Sequence, residues 1–257
     1  MANRSTNDSA NEDETNFGFR RVGKNEHADL VSSLFESVAD HYDVMNDLMS
    51  FGLHRLWKRF AVMAAQVRPG QHVLDLAGGS GDLSRLFARR VGERGQVVMS
   101  DINGEMLNRG RDRLIDSGCG NNVAVVQANA ESLPFDSGTF DIVSIAFGLR
   151  NVTNKNAALD EMYRILRPGG RALILEFSEL KIPALQKAYD TFSFRVLPRL
   201  GELVAKDGDS YRYLAESIRV HPNQDALMSM MRTVGFDRVR CRNMAGGIVA
   251  LHDGMRI

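Results

Sequence analysis

Two carboxylates bracket a run of glycines in Asp75-Leu76-Ala77-Gly78-Gly79-Ser80-Gly81-Asp82. Glycines such as Gly79 and Gly81 let a backbone take up positive φ and come close to a ligand. Charge decides which ligand such a bend could serve. An anionic pyrophosphate suits the N–H groups of a helix N-terminus, but Asp75 and Asp82 would repel it. A ligand carrying a sulfonium and an ammonium group would be held by the same carboxylates, which points to S-adenosylmethionine (SAM). Ser84 stands where a third glycine would complete G-x-G-x-x-G, and that pattern is a weak guide alone. A dinucleotide site, and a tight turn with no ligand, stay open at this point. Asp101 lies roughly 20 positions beyond the turn, where a carboxylate can take both hydroxyls of a ribose. It supports a nucleoside without choosing between SAM and a dinucleotide, and a helix N-cap is its plainer role. Asn129 and Ala130 could pair with an adenine edge. Arg150 and Asn151 follow another apolar run, where a substrate would meet the cofactor.

These residues need a scaffold that brings strand ends together. Val73–Leu76 reads as a strand and Asp82–Val91 as an amphipathic helix. Gln96–Ser100, Val123–Gln127, Phe140–Ala146 and Ala172–Phe177 read as further strands, with helices at Gly104–Ser117 and Asn156–Leu166. Strand–helix alternation implies right-handed crossovers and a parallel, doubly wound sheet. Upstream, Leu30, Leu34, Val38 and Tyr42 share one helical face. A second helix, Leu53–Gln66, ends at Arg68-Pro69-Gly70. These N-terminal helices are an addition that either covers the cofactor loop or only extends the packing. Between Leu180 and Asn223 the alternation breaks. Ala188–Ala205 is amphipathic, with Tyr189, Phe192 and Phe194 beside Arg195 and Arg199, and another helical stretch starts at Ser210. A helix from Asn223 (N-cap) to Val234, stopped by Gly235, leads to a closing hairpin of Val239–Asn243 and Ile248–His252.

Composition narrows the class. The 257-residue chain balances 32 Lys plus Arg against 32 Asp plus Glu, which argues against a general nucleic-acid-binding surface. Cys119 and Cys241 have no metal-ligand spacing, no metal site is expected, and reduced thiols suit a cytoplasmic protein. No apolar run approaches the roughly 20 residues of a membrane span, and no signal peptide is expected. Residues Met1–Asn16 are polar and are expected to be a disordered tail.

The chain resembles the UbiE/COQ5 family, the ubiquinone/menaquinone biosynthesis C-methyltransferases. The resemblance runs through Phe17-Gly18-Phe19-Arg20, Ser37–Asp47, Gly52–Lys58, Leu74–Leu83, Asp101-Ile102-Asn103, Ala128–Glu131, Ala146–Thr153, Leu175–Ser178, Tyr213–Arg219 and Gly246–His252. It implies a class I SAM-dependent methyltransferase: a Rossmann-like α/β fold with a seven-stranded sheet, the last strand antiparallel. Residues 17–257 would be a single domain, with a helical cap over 17–68 and a helical substrate lid over 180–222 between strands five and six. It implies SAM contacts at Ser80, Asp101, Asn129 and Ala130, joined by Asp75, Gly79, Gly81 and Ala146 around the same strand ends. Ser80 keeps the hydroxyl of the threonine common in relatives; Ala146 loses that of a serine.

The reaction implied is methyl transfer to a ring carbon of a polyprenyl hydroquinone, 2-methoxy-6-polyprenyl-benzoquinol or demethylmenaquinol. Arg150, helped by Asn151, is the candidate to stabilise the developing phenolate; a guanidinium is a poor proton acceptor. Tyr42, His54 and Tyr213 are candidates to touch the quinol or to serve the core. An O-methyltransferase of a small phenol, or a non-catalytic SAM-binding scaffold, are the rival readings. The expected location is cytoplasmic. Peripheral contact with the inner face of the membrane through Ala188–Ala205, a quinone-biosynthesis enzyme complex and a homodimer are all compatible with the resemblance.

Overall fold

The computed structural model describes residues 14–38, 46–47, 49–50, 52–205 and 207–257. Tyr42, and residues 1–13 of the polar tail, lie outside the described residues. A hairpin opens the described chain, β1 (Glu14–Phe17) paired antiparallel with β2 (Arg20–Gly23). Residues 14–16, expected within the disordered tail, thus belong to a strand. Two helices follow, α1 (Lys24–Val38) and α2 (His54–Ala65). The alternating body then runs β3 (His72–Leu76), α3 (Asp82–Val91), β4 (Gln96–Asp101), α4 (Gly104–Asp116), β5 (Val123–Gln127), β6 (Phe140–Ala146), α5 (Lys155–Ile165) and β7 (Leu166–Phe177). An insertion of α6 (Pro183–Thr191), α7 (Leu197–Ala205) and α8 (Gly208–Val220) precedes α9 (Gln224–Val234), β8 (Asp237–Met244) and β9 (Val249–Met255).

The sheet order is β5-β4-β3-β6-β7-β9-β8. The first five strands are mutually parallel, and β9 runs antiparallel to both of its neighbours. This is the seven-stranded order expected of a class I methyltransferase. The sheet's two faces build two cores. Val73, Met99, Phe87, Leu107 and Trp57 pack on one side; Leu74, Leu76, Ile145, Leu159 and Met162 pack on the other. Strands covered on both faces read as continuous apolar runs, which is why they stand out in the sequence.

Helix starts follow local chemistry. Asn103, Asn154 and Asn223 accept hydrogen bonds from the backbone N–H of Met106, Ala157 and Ala226, and Gly235 ends α9 in a left-handed conformation. The N-cap role open to Asp101 falls to Asn103 instead. Two boundaries differ from the sequence pattern. β7 starts at Leu166 and carries the Arg167-Pro168-Gly169-Gly170 segment, with an irregularity in its pairing between Phe140 and Ile142. Ala188–Ala205 is not one helix: a π-helical stretch, Phe192–Val196, separates α6 from α7.

Candidate active site

Strand order reverses between β3 and β6, because the chain builds outward from β3 in both directions. Crevices at such a switch point, beyond the carboxyl ends of the strands, are where ligands bind in doubly wound sheets. A cleft opens there. Its walls come from the ends of β3 through β6, and α1 adds Ala28, Val31 and Ser32. Of the candidate residues, Gly79, Asp101, Asn129, Ala130 and Asn151 line it.

Asp101 is the best-built of these. Its Oδ2 accepts the Gly79 N–H at 3.0 Å and its Oδ1 the Asn103 N–H at 3.0 Å. The first bond ties the end of β4 to the glycine bend, where Gly79 takes φ +51°. Each carboxylate oxygen keeps lone-pair capacity for a further donor. Burial raises the Asp101 carboxyl above its usual range, against the pull of these N–H groups. Asn129 fixes its own turn by accepting the Glu131 N–H at 2.9 Å. Glu131, also on the cleft wall, accepts the N–H groups of Thr153 and Asn154 at 3.1 Å each.

The remaining candidates stand back from the cleft. Asp75 is buried beneath the bend, where its two oxygens accept the hydroxyls of Ser84 (2.6 Å) and Ser144 (2.8 Å). Burial pushes its carboxyl up to about 6. Asp82 pairs with Lys58 at 3.0 Å and lies 3.7 Å from Arg113. The negative charge inferred to greet a cationic ligand is therefore spent within the protein at both positions, and Asp101 is the aspartate on the cleft wall. Ser80 and Gly81 line a shallower crevice with Arg85 and Arg113 on the outer side of the bend. Ala146 packs its methyl against the core that holds Trp57.

Arg150 also stands behind the wall. Its Nη1 donates to Glu176 Oε1 at 2.8 Å and to the Phe147 carbonyl at 2.6 Å, its backbone N–H reaches Glu176 Oε2 at 3.2 Å, and its guanidinium lies 5.5 Å from the Phe177 ring centre. Both partners are buried, with side chains 4% and 1% exposed. Asn151, one residue on, faces the cleft, and its Oδ1 accepts the Tyr213 hydroxyl at 3.1 Å. Burial pushes the Tyr213 phenol up to about 12. His54 is buried and bonds Asp47 at 3.0 Å; it is not on the cleft wall.

Spacing alone does not single out Glu176. Its signal is a lone carboxylate closing the apolar run Ala172–Phe177. The same neighbourhood holds Lys155, whose ammonium burial pushes below its ordinary range, and His221, lowered well below its own by burial and by the charges of Lys155 and Arg150. Among the described residues no group of three or more His, Cys, Asp or Glu could hold a metal, and no helix is long and apolar enough to cross a membrane.

The fold is shared with solved methyltransferases. A SAM-dependent methyltransferase from Thermotoga maritima superposes with a TM-score of 0.62 at 18% identity, covering 88% of this chain and 99% of its own. Another from Aquifex aeolicus gives 0.54 at 18% identity, over 92% and 100%. Sequence then gives the family: the model of the ubiE/COQ5 methyltransferase family matches residues 21–256, and the chain belongs to that family. It is 60% identical to the ubiquinone/menaquinone biosynthesis C-methyltransferase UbiE of Cronobacter sakazakii over 95% of this chain and 98% of the relative. The same-named protein of Methylococcus capsulatus is 60% identical over 95% and 99%. The protein is accordingly a methyltransferase.

Proposed function

We propose that the protein transfers a methyl group from SAM to a ring carbon of a polyprenyl hydroquinone, demethylmenaquinol or 2-methoxy-6-polyprenyl-1,4-benzoquinol. The observation that carries this reading is one cleft with a carboxylate suited to a ribose, Asp101, on one wall and an amide suited to a phenolic oxygen, Asn151, on another. The relatives' shared name supplies the substrate class.

The donor set fits a nucleoside: Asp101 keeps acceptor capacity for the ribose hydroxyls, and Asn129 and Ala130 stand at the end of β5 to meet the base. SAM, when bound, supplies a methyl group that is already electrophilic. The protein's part is then to orient and to stabilise charge. The ring carbon becomes nucleophilic as its neighbouring hydroxyl sheds a proton; once the new carbon–carbon bond has formed, the proton on that carbon is lost and the oxygen is protonated again, which restores the aromatic hydroquinone, and in between the oxygen needs a donor. Asn151 offers that donor from the wall. Arg150 acts from behind by clamping the Phe147–Asn151 turn to β7, its charge balanced by Glu176. Glu131, the other carboxylate on the cleft wall beside Asp101, takes the proton, directly or through water. Ser80, Gly81, Asp75 and Ala146 support the bend and the strand end rather than the ligand.

The apolar tail of such a quinol suggests peripheral contact with the membrane. Exposed Leu185, Phe194 and Val196 beside Arg195 and Arg199 would supply it. Liposome flotation that is unchanged by Phe194→Ser with Arg195→Glu would remove that part. A homodimer and a quinone-synthesis complex complete the proposal; light scattering on purified protein reads the first.

The test of the reaction uses purified full-length chain, SAM labelled with ¹³C in its methyl, and both quinols kept reduced. Carbon NMR of the product should place the label on a ring carbon. Label on oxygen, or none transferred, would refute the reading.

A further inference from the structure

Asn151 is held from outside the sheet, by parts of the chain far away in sequence. The Tyr213 hydroxyl that bonds its Oδ1 comes from α8 of the insertion. With its phenol pushed up to about 12, Tyr213 stays protonated and remains a donor throughout the neutral range. The Tyr213 ring is in turn stacked on Phe17, with centroids 4.2 Å apart and planes 25° apart. Phe17 ends β1, at the turn of the N-terminal hairpin. That turn is pinned to the same helix: the Phe19 N–H donates to Glu216 Oε2 at 3.1 Å. Gly18 takes φ +59° there, and its flank is filled by the Glu216 side chain, so the turn is shaped to this contact. On its other side Phe17 meets the His27 ring edge-on at 6.1 Å, and His27 Nδ1 bonds Thr153 Oγ1 at 2.9 Å. Thr153 lies on the cleft wall two residues beyond Asn151.

A side-chain amide rotates about a soft, roughly two-fold χ2 and can present either its oxygen or its N–H groups. The Tyr213 hydroxyl breaks that symmetry. With Oδ1 engaged by the hydroxyl, Nδ2 and its hydrogens are the side of Asn151 free of that contact, on a residue that lines the cleft. We propose that Tyr213, seated by Phe17 of the N-terminal hairpin, is a positioning residue that keeps the N–H side of Asn151 toward the oxygen of the acceptor ring. The proposal rests on the methyl-transfer reading above and adds a residue pair to it. The reverse orientation would set the amide oxygen against a developing phenolate, replacing attraction with repulsion. The N-terminal hairpin, remote from the sheet, thereby becomes part of the reaction's machinery.

Two readouts test it on the full chain. The first is kinetics with reduced demethylmenaquinol and SAM. Tyr213→Phe should lower kcat about tenfold, while SAM affinity by calorimetry and quinol KM stay within about twofold, the pattern of an interaction made in the transition state. Phe17→Ala should lower kcat in the same way, Phe17→Tyr should restore it, and Phe17→Ala with Tyr213→Phe should fall no further than Tyr213→Phe alone. A kcat for Tyr213→Phe within twofold of the parent, or losses that multiply in the double variant, would overturn the proposal. The second readout is the Asn151 side-chain amide signal in the ¹H–¹⁵N spectrum without any quinol. It should shift in both single variants; an unchanged signal in Tyr213→Phe would overturn the proposal as well. If the parent protein methylates neither quinol, the reaction reading fails, and the Asn151 signal still decides the positioning.

Discussion

The two walls of the cleft are built in different ways. On the β3–β4 side, the contacts stay within the sheet, the bend and the helix start beside it: Asp101 bonds Gly79 and Asn103, and Asp75 bonds Ser84 and Ser144. On the β6–β7 side, beside the local bond from Arg150 to the Phe147 carbonyl, polar contacts reach other parts of the chain: Arg150 to Glu176, Asn151 to Tyr213, Thr153 to His27. The first wall is built within the sheet and the bend that follows β3. Part of the second also needs the insertion and the N-terminal segment to dock, through Tyr213 and His27. A nucleoside common to many enzymes can be met by the first kind of wall. On the proposed reading, the acceptor is met by the second.

The largest expected effect lies in the second wall. Removing one partner of a buried, hydrogen-bonded ion pair leaves a charge without compensation and costs about 3–5 kcal/mol. Arg150→Ala and Glu176→Ala should each lose stability on that scale in urea unfolding, whereas Arg150→Met with Glu176→Leu should recover most of it. A single variant as stable as the parent would show that the ion pair does not hold the turn after β6 to β7. It would also return Arg150 to a direct role at the ligand.

Asp75 gives the next effect, and its sign is defined. Its carboxyl sits at about 6 in the fold against an ordinary 3.8, so the fold favours the protonated form. Its contribution is fully present below pH about 4 and is lost as pH rises through about 6, a change of about 3 kcal/mol. Unfolding free energies of Asp75→Asn and the parent, compared from pH 4.5 to 7.5, should move in favour of Asp75→Asn as pH rises. A pH-independent difference would show that Asp75 is not buried as described.

Two further substitutions separate the aspartates. Asp101→Asn should weaken SAM binding about 10- to 100-fold in calorimetry, the scale of hydrogen bonds to a charged group. Asp82→Asn, whose charge Lys58 and Arg113 already meet, should change it less than about threefold. The reverse ranking would restore the bend's acidic flank as the seat of the ligand.

This contrast also explains what the sequence revealed. The doubly wound order, β4 to β6 and the caps at Asn223 and Gly235 were legible, because apolar periodicity and capping act locally. Asp101 was legible for the same reason, since its distance from the glycine bend is set by one helix and one strand. Asp75 and Asp82 misled as charges: nothing local says that Ser144 or Lys58 will meet them. Arg150 could be read as important, but its partner sits 26 residues on, at the end of another strand. Phe17 stood inside a motif without a role, because its contact with Tyr213 depends on how the insertion folds back.

The most direct test of the central claim is an isotope-filtered NMR experiment on the full chain with SAM carrying a ¹³C-labelled methyl. If the donor lies along Asp101 with its reactive end toward β6, NOEs should run from that methyl to Phe147, Gly148 and the Asn151 side chain. NOEs confined to Ser80, Arg85 and Arg113, on the outer side of the bend, would contradict it.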